Sequence, residues 1–347
     1  MQDPATEARV RGAVARATGR DASGAPVRRL AGHASLRSYW RVGTFPGSLV
    51  VMVLPPDGKP EEVTKGGAPA VNSFVDVQRW LERIGVRVPH VHAFLEAEGL
   101  MVLEDLGDEM LETRLAAGAE PRPLYEGAVD QLARMRAAAE ARPGGCIAFG
   151  RSFDRDLYRW ELDHFREWLL EAWKGARLRP SEREVVDRSF DAIAAALDAE
   201  PKGFTHRDYQ SRNLMILPSG EQAVIDFQDA LLGPRQYDLV ALLRDSYVEL
   251  EAPLVEAMIA RYLARLAEAG GPRLDPGPFR EVFDLLTVQR KLKDAGRFVF
   301  IDRVKGNPGF LPSIPASLRY VREALSRRPD LADLRAVLSR HVPELAP

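Results

Sequence analysis

Within the eight residues His206 to Asn213, HRDYQSRN, stand a carboxylate, Asp208, and an amide, Asn213. A second carboxylate, Asp226, follows after an apolar strand, the turn Pro218-Ser219-Gly220-Glu221 and another apolar strand. A hairpin of that form brings Asp226 back toward the loop that carries the other two. Phosphoryl transfer needs such a combination. Its transition state is loose, so a protein contributes mainly position and charge: one carboxylate orients the attacking hydroxyl, and hard oxygen atoms hold Mg²⁺ on the phosphates. Asp208 suits the first task, and Asn213 and Asp226 suit the second. Taken singly, Asp and Asn are common turn residues, and His-x-Asp alone reads as a solvated loop. The complete series, with its two strands and turn, points to chemistry.

These residues need elements to hold them. The hairpin, Leu214 to Leu217 and Ala223 to Ile225, interrupts a region whose period is otherwise helical. Leu124, Ala128, Leu132 and Met135 form one apolar stripe, and Tyr158, Leu162, Phe165 and Leu169 a second. Val186, Phe190, Ile193 and Leu197 form a third, opened by the capping box Ser181-Glu184. Upstream, the chain reads mainly as strands: Tyr39 to Val42, Ser48 to Leu54, Val86 to Phe94 and Leu100 to Leu103, with turns at Ala31 to Ser35 and Phe45-Pro46-Gly47. One helix is expected among them, with Ser73 and Asp76 as its capping box, Phe74, Val77, Leu81 and Ile84 on one face, and Gly85 as its stop. Pro55 to Pro69 reads as a surface loop, and Arg273 to Pro278 and Asn307 to Pro315 as Pro-rich loops. The expectation is an α+β, two-lobed fold, with a small antiparallel sheet lobe over residues 1–106 and a mainly helical lobe over 107–347.

Composition excludes several classes. The 347 residues carry 48 basic and 50 acidic side chains, a formal charge of −2, so no basic field attracts a nucleic-acid backbone. The single cysteine, Cys146, cannot close an internal disulfide and suits a reducing compartment; a small apolar filler is its plain reading. No run approaches the roughly 18 apolar residues of a membrane span. A soluble, cytoplasmic protein without membrane or nucleic-acid partners is expected, its oligomeric state open.

The segment His206 to Asn213, with Asp226, resembles the eukaryotic-like kinase superfamily, in its aminoglycoside phosphotransferase and choline kinase branch: Asp226-Phe227-Gln228 stands where protein kinases have DFG, and no APE follows. Within that branch the chain is similar to the bacterial anomeric sugar kinases of cell-wall recycling, the N-acetylmuramate/N-acetylglucosamine 1-kinases. The similar blocks are RLAGHASLRSYWRV (Arg29 to Val42), LEDLGD (Leu103 to Asp108), IDFQDALLGPRQYDLVALLRDSY (Ile225 to Tyr247) and QRKLKDAGRF (Gln289 to Phe298). The resemblance implies a protein-kinase-like fold, ATP and Mg²⁺ as cofactors, Asp208 as catalytic base, and Asn213 and Asp226 as metal ligands. It also implies a hinge beside adenine at Leu103, Glu104, Asp105 and Leu106, and a phosphate cover at Gly32, His33, Ala34 and Ser35. Small residues there let backbone N–H groups approach anionic oxygens, although a plain β-turn fits the same sequence.

The third strand, Val50-Val51-Met52-Val53-Leu54, lacks the lysine that kinases place there to pair with phosphates. Arg37, Arg41, Lys59 and Lys65 are candidate substitutes or solvated charges, and Glu82, without that lysine, is left to face water. Asp238 reads as an N-cap of the helix Leu239 to Leu243, as a structural support of the loop at His206, or as both. For the acceptor, the resemblance points to the anomeric hydroxyl of an amino sugar. Gln228 and Asp229 would be sugar-bonding groups, and Lys293 and Arg297 would meet a muramate carboxylate. Trp160, Trp168 and Trp173 read as core or as a platform for a sugar face. Two other readings stay open: an aminoglycoside, choline-like or amino-alcohol acceptor, and a nucleotide-binding pseudokinase.

Overall fold

The computed structural model describes residues 4–30, 37–55 and 72–346. The chain forms two compact units, the first of Met1–Glu109 with Met215–Gln228, the second of Met110–Leu214 with Asp229–Pro347. The expected boundary at 106/107 lies close to Glu109, but the hairpin, which that expectation left in 107–347, packs with the first unit. Ile216 N–H donates to Glu109 O (2.8 Å) and Val224 N–H to Arg87 O (2.8 Å). The ring of Phe227, just beyond the hairpin, lies 4.8 Å from that of Phe74.

The first unit is built on a five-stranded antiparallel sheet. Its strands are β1 (Val27–Arg29), β2 (Ser38–Gly43), β3 (Ser48–Val53), β4 (Val91–Leu95) and β5 (Leu100–Glu104), in the order β1-β2-β3-β5-β4. Register aligns Trp40 with Val51 and Val51 with Val102, so one face carries an unbroken apolar row. Helix α1 (Pro4–Thr18) closes that face with Val10, Ala13 and Val14. The sequence reading missed α1, because so short an apolar stripe among charged residues carries little periodic signal. Helix α2 (Ser73–Arg83) is capped by Asn72, whose Oδ1 accepts from Phe74 N–H (3.0 Å), and not by the expected Ser73 and Asp76 box. Gly85, with φ 82°, ends this helix as expected. The expected strand from Val86 begins only at Val91, beyond Pro89, which has no N–H for a ladder.

The second unit is mainly helical: α3 (Leu111–Ala116), α4 (Pro121–Ala141), α5 (Arg155–Phe165), α6 (Pro180–Asp198), α7 (Tyr237–Leu243), α8 (Ala252–Glu268), α9 (Pro276–Lys305), α10 (Ile314–Ser326) and α11 (Ala332–His341). Strand Lys202–Thr205 pairs antiparallel with Leu231–Pro234. The stripes expected on α5 and α6 are buried throughout, Leu169 lying in a π-helical extension of α5 over Arg166–Trp173. The box at the start of α6 joins Arg179 to Glu182 instead of Ser181 to Glu184, since Pro180 fits the first helical position. Two segments expected to be Pro-rich loops are largely helix starts for the same reason: Pro276 opens α9, Pro308 a 3₁₀ turn and Pro315 the first turn of α10. Among the described residues no helix is long and apolar enough to cross a membrane.

Helix α9 is the spine of this unit, and one glycine sets its approach to α5. A Cβ added at Gly296 would sit 2.6 Å from Phe165 Cα and 2.9 Å from His164 O. Both are backbone atoms, which cannot swing aside as a side chain can. Gly296→Ala should therefore force the helices apart, lowering stability by about 1–3 kcal/mol in chemical denaturation. An unchanged midpoint would refute the close-approach role.

Candidate active site

The loop that follows strand Lys202–Thr205 is held at nearly every residue. Asp238, on the first turn of α7 and 4% exposed, accepts from His206 N–H (Oδ2, 2.8 Å) and Arg207 N–H (Oδ1, 2.9 Å). Burial raises the Asp238 pKa above the usual carboxylate value, with His206 and both amides acting in the other direction. The N-cap position of α7 belongs to Gln236, which makes no capping bond, so both oxygens of Asp238 serve the loop. Arg207 itself adopts a left-handed backbone, φ 80°, a conformation with a steric cost for any residue bearing a Cβ. Its carbonyl accepts from Arg290 Nη1 (2.8 Å), and its guanidinium lies 3.4 Å from the buried Glu161. Gln289 donates to that same Glu161 from α9 (2.7 Å).

The kink at Arg207 aims Asp208. Arg290 Nη2 donates to Asp208 Oδ1 at 3.0 Å; the arginine side chain is 1% exposed and that of Asp208 34%. Burial works to raise the Asp208 pKa, but Arg290, Lys293 and Arg207 outweigh it and hold the carboxyl at about 2. Asp208 is therefore ionised at neutral pH and keeps an accessible edge. Asn213 Nδ2 donates to the Asp208 carbonyl (2.8 Å), which leaves the amide oxygen of Asn213 out of that bond. The rest of the loop is anchored to three helices or their flanks. The Tyr209 hydroxyl donates to Ala128 O on α4 (2.9 Å), and Ser211 donates through N–H and Oγ to Asp245 after α7. Arg212 forms a bidentate pair with Glu112 on α3 (2.7 and 2.8 Å) and stacks 3.6 Å from the Tyr247 ring centroid.

The block QRKLKDAGRF on α9 explains itself in these contacts. Gln289 reaches Glu161 on α5, and Arg290 reaches the loop. Lys291 donates to Ser246 Oγ (3.0 Å) and Asp294 Oδ2 (2.7 Å), and Gly296 admits α5. Lys293 Nζ lies 3.5 Å from Asp294 Oδ1 and acts on Asp208 electrostatically, while Arg297, a turn further, stacks on Phe300 (4.8 Å). The sequence reading singled out Lys293 and Arg297 but missed Arg290, Glu161 and Asp245. For Arg290, the polar run Gln289-Arg290-Lys291 between Val288 and Leu292 on α9 was the available signal. Trp160 is 43% exposed and stacks on His164 (5.3 Å), and Trp173 is 37% exposed, so neither is core.

In the first unit, Asp226 also has a left-handed backbone, φ 65°, and its Oδ1 accepts from Gln228 Nε2 (2.8 Å). Asp229 belongs to the second unit, next to strand Leu231–Pro234. The segment after β5 is pinned by ion pairs. Glu104 is paired with Arg87, and Asp105 takes two bonds from Arg41 (2.5 and 2.8 Å) and one from Ser48. Burial opposes ionisation of Asp105, but Arg41, Ser48 and the Gly107 amide hold its pKa below the ordinary value. Leu103 and Leu106 beside them are buried. Arg41 reaches Asp108 as well (2.7 Å), so its charge is committed to this segment and not left for phosphate. Arg37 and Asp226 both act electrostatically on the hydroxyl of the half-buried Tyr39, whose pKa is raised chiefly by burial. Glu82 lies 3.1 Å from His90 Nδ1. Gly32, His33, Ala34, Ser35, Lys59 and Lys65 lie outside the described residues.

Residues 26–276 match the model of a phosphotransferase enzyme family, APH. The chain is 35% identical over 308 residues to an N-acetylmuramate/N-acetylglucosamine kinase of Pseudomonas aeruginosa, covering 88% of this chain and 86% of that one. It is 33% identical to a protein of the same name from Neisseria meningitidis (89% and 88% covered). Among solved structures, a choline kinase from Cryptosporidium parvum superposes with a TM-score of 0.63 at 12% identity, covering 98% of this chain and all (100%) of the other. An ADP-bound aminoglycoside phosphotransferase gives 0.58 at 12% identity, covering 92% and 99%. At such identity these two speak for the fold alone, and they bear out the α+β kinase-like expectation. Its full-length relatives and the matched model, taken together, establish that the chain belongs to the APH phosphotransferase enzyme family.

Proposed function

We propose that this protein is an ATP-dependent kinase of N-acetylmuramate and N-acetylglucosamine, placing phosphate on the anomeric hydroxyl to give the sugar 1-phosphate during peptidoglycan recycling in the cytoplasm. The likeness to proteins of that name over nearly the whole chain carries the reading. The electrostatics of the loop support a base at Asp208, since Arg290, Lys293 and Arg207 keep its carboxyl ionised at neutral pH.

In this reading Asp208 accepts a hydrogen bond from the sugar hydroxyl, orients it toward the phosphoryl group and takes its proton late in the transfer. An anomeric hydroxyl is more acidic than an ordinary alcohol, which suits a base as weak as a carboxylate held at about 2. Asn213 offers an amide oxygen and Asp226 a carboxylate, the hard donors that Mg²⁺ prefers. These two side chains would hold the Mg²⁺, an ion usually bound by one or two protein oxygen ligands together with substrate phosphates. When bound, Mg²⁺ neutralises charge on the phosphates. Leu103 to Leu106 form the hinge beside adenine, held by the Arg87 and Arg41 pairs, and Gly32 to Ser35 cover the phosphates. Gln228 and Asp229 contact the sugar, Gln228 also supporting Asp226. Lys293 and Arg297 meet the carboxylate of muramate.

Phosphorus NMR of the product should show a sugar 1-phosphate with either acceptor. Turnover confined to amines would end the proposal. Asp208→Asn should fold and bind ATP but lose most of kcat, since only the base is altered; near-wild-type turnover would remove Asp208 from that role. Lys293→Met should raise KM for N-acetylmuramate by about 10–100-fold, the worth of a charge-assisted hydrogen bond, and leave the KM for N-acetylglucosamine near wild type, any fall in kcat through Asp208 being shared by both sugars. Equal rises in KM for both sugars would count against the carboxylate contact.

A further inference from the structure

Arg290 is more than a buried countercharge, because its three hydrogen bonds go to three parts of one device. Nη1 donates to the Arg207 carbonyl (2.8 Å) and to the Tyr237 hydroxyl (2.9 Å), and Nη2 donates to Asp208 Oδ1 (3.0 Å). The guanidinium carbon lies 5.0 Å from the Tyr237 ring centroid, so the fork is oriented by an aromatic face as well. Its Nε makes no hydrogen bond among the described residues, Asp294 Oδ2 being 4.0 Å away. The side chain is thus placed by its targets on the loop and α7, with α9 as the rigid base.

The Arg207 peptide is the strained link of the loop. Asp238 holds its N–H and Arg290 its carbonyl, so both polar ends of a left-handed residue are fixed by buried charged groups from α7 and α9. The same guanidinium then takes one oxygen of the next side chain. We propose that Arg290 is the positioning residue of the phosphoryl transfer: it locks the Arg207 kink and Asp208 Oδ1 together, so that Asp208 Oδ2 is the oxygen presented to the acceptor hydroxyl. This rests on Asp208 being the base. Lysine cannot reproduce it, since an ammonium is a single point of charge on a flexible stem and lacks the planar fork that spans a carbonyl, a hydroxyl and a carboxylate.

Arg290→Lys keeps the buried charge and tests geometry alone. At saturating ATP and sugar its kcat should fall about 100-fold, the effect of displacing a reacting group by about 1 Å, while KM for both substrates and nucleotide affinity by calorimetry stay near wild type. Millimolar guanidinium should partly restore Arg290→Ala and leave Asp208→Asn unrestored. In an Asp208→Asn background, Arg290→Lys should remove nothing further, because both changes disable one unit. A wild-type kcat for Arg290→Lys, with Asp208→Asn inactive, would overturn the positioning role and spare the base assignment. Additive losses in the double variant would also overturn it, revealing a general structural part. An active Asp208→Asn would instead sink the reading on which the inference stands.

Discussion

A residue with a Cβ does not stay in a left-handed backbone unless its surroundings insist, at a cost on the order of 1–3 kcal/mol. At Arg207 the insistence comes from Asp238 on the amide and Arg290 on the carbonyl, with Glu161 facing the side chain. That peptide leads directly into Asp208, whose Oδ1 the same Arg290 also holds. The groups responsible are buried and charged, so they come in compensating pairs: Glu161 with Arg207, Asp208 with Arg290, Asp294 with Lys291. Such pairs add little stability, yet removing one partner leaves an unmatched charge at a cost of about 3–5 kcal/mol. The network therefore holds one geometry and resists its neighbours.

Helix α9 makes that network possible. Its Gly296 lets the backbone of α5 come close, which fixes the distance across which Gln289 reaches Glu161 and sets the base from which Arg290 reaches the loop. The stretch of α9 from Phe283 to Leu292 is buried without interruption, so its polar residues have no solvent to satisfy them and must find partners inside. The consequence at the loop is that Arg290, Lys293 and Arg207 hold the Asp208 carboxylate ionised.

The first unit uses charge differently. Its third strand carries no lysine, and Arg41 is committed to Asp105 and Asp108. Together with the Arg87–Glu104 pair, this fixes the chain where it leaves the sheet. These ion pairs keep partial solvent access, so they serve to set the path of the segment more than to add stability.

The sequence by itself determined the hairpin, the helical stripes of α5 and α6 and the class of fold, because each depends on residue type and on spacing between near neighbours. It left α1 unseen, misplaced the caps of α2 and α6 and took the start of α9 for a loop, since a short apolar stripe or a proline is ambiguous until packing selects one reading. Tertiary structure alone decided that Arg290, eighty-two positions from Asp208, is the group that holds it, that both oxygens of Asp238 serve the loop and not its own helix, and that Arg41 is spent on the segment after β5. Those assignments depend on which buried charges meet across helices and strands, and a one-dimensional pattern carries the charges but not their pairing.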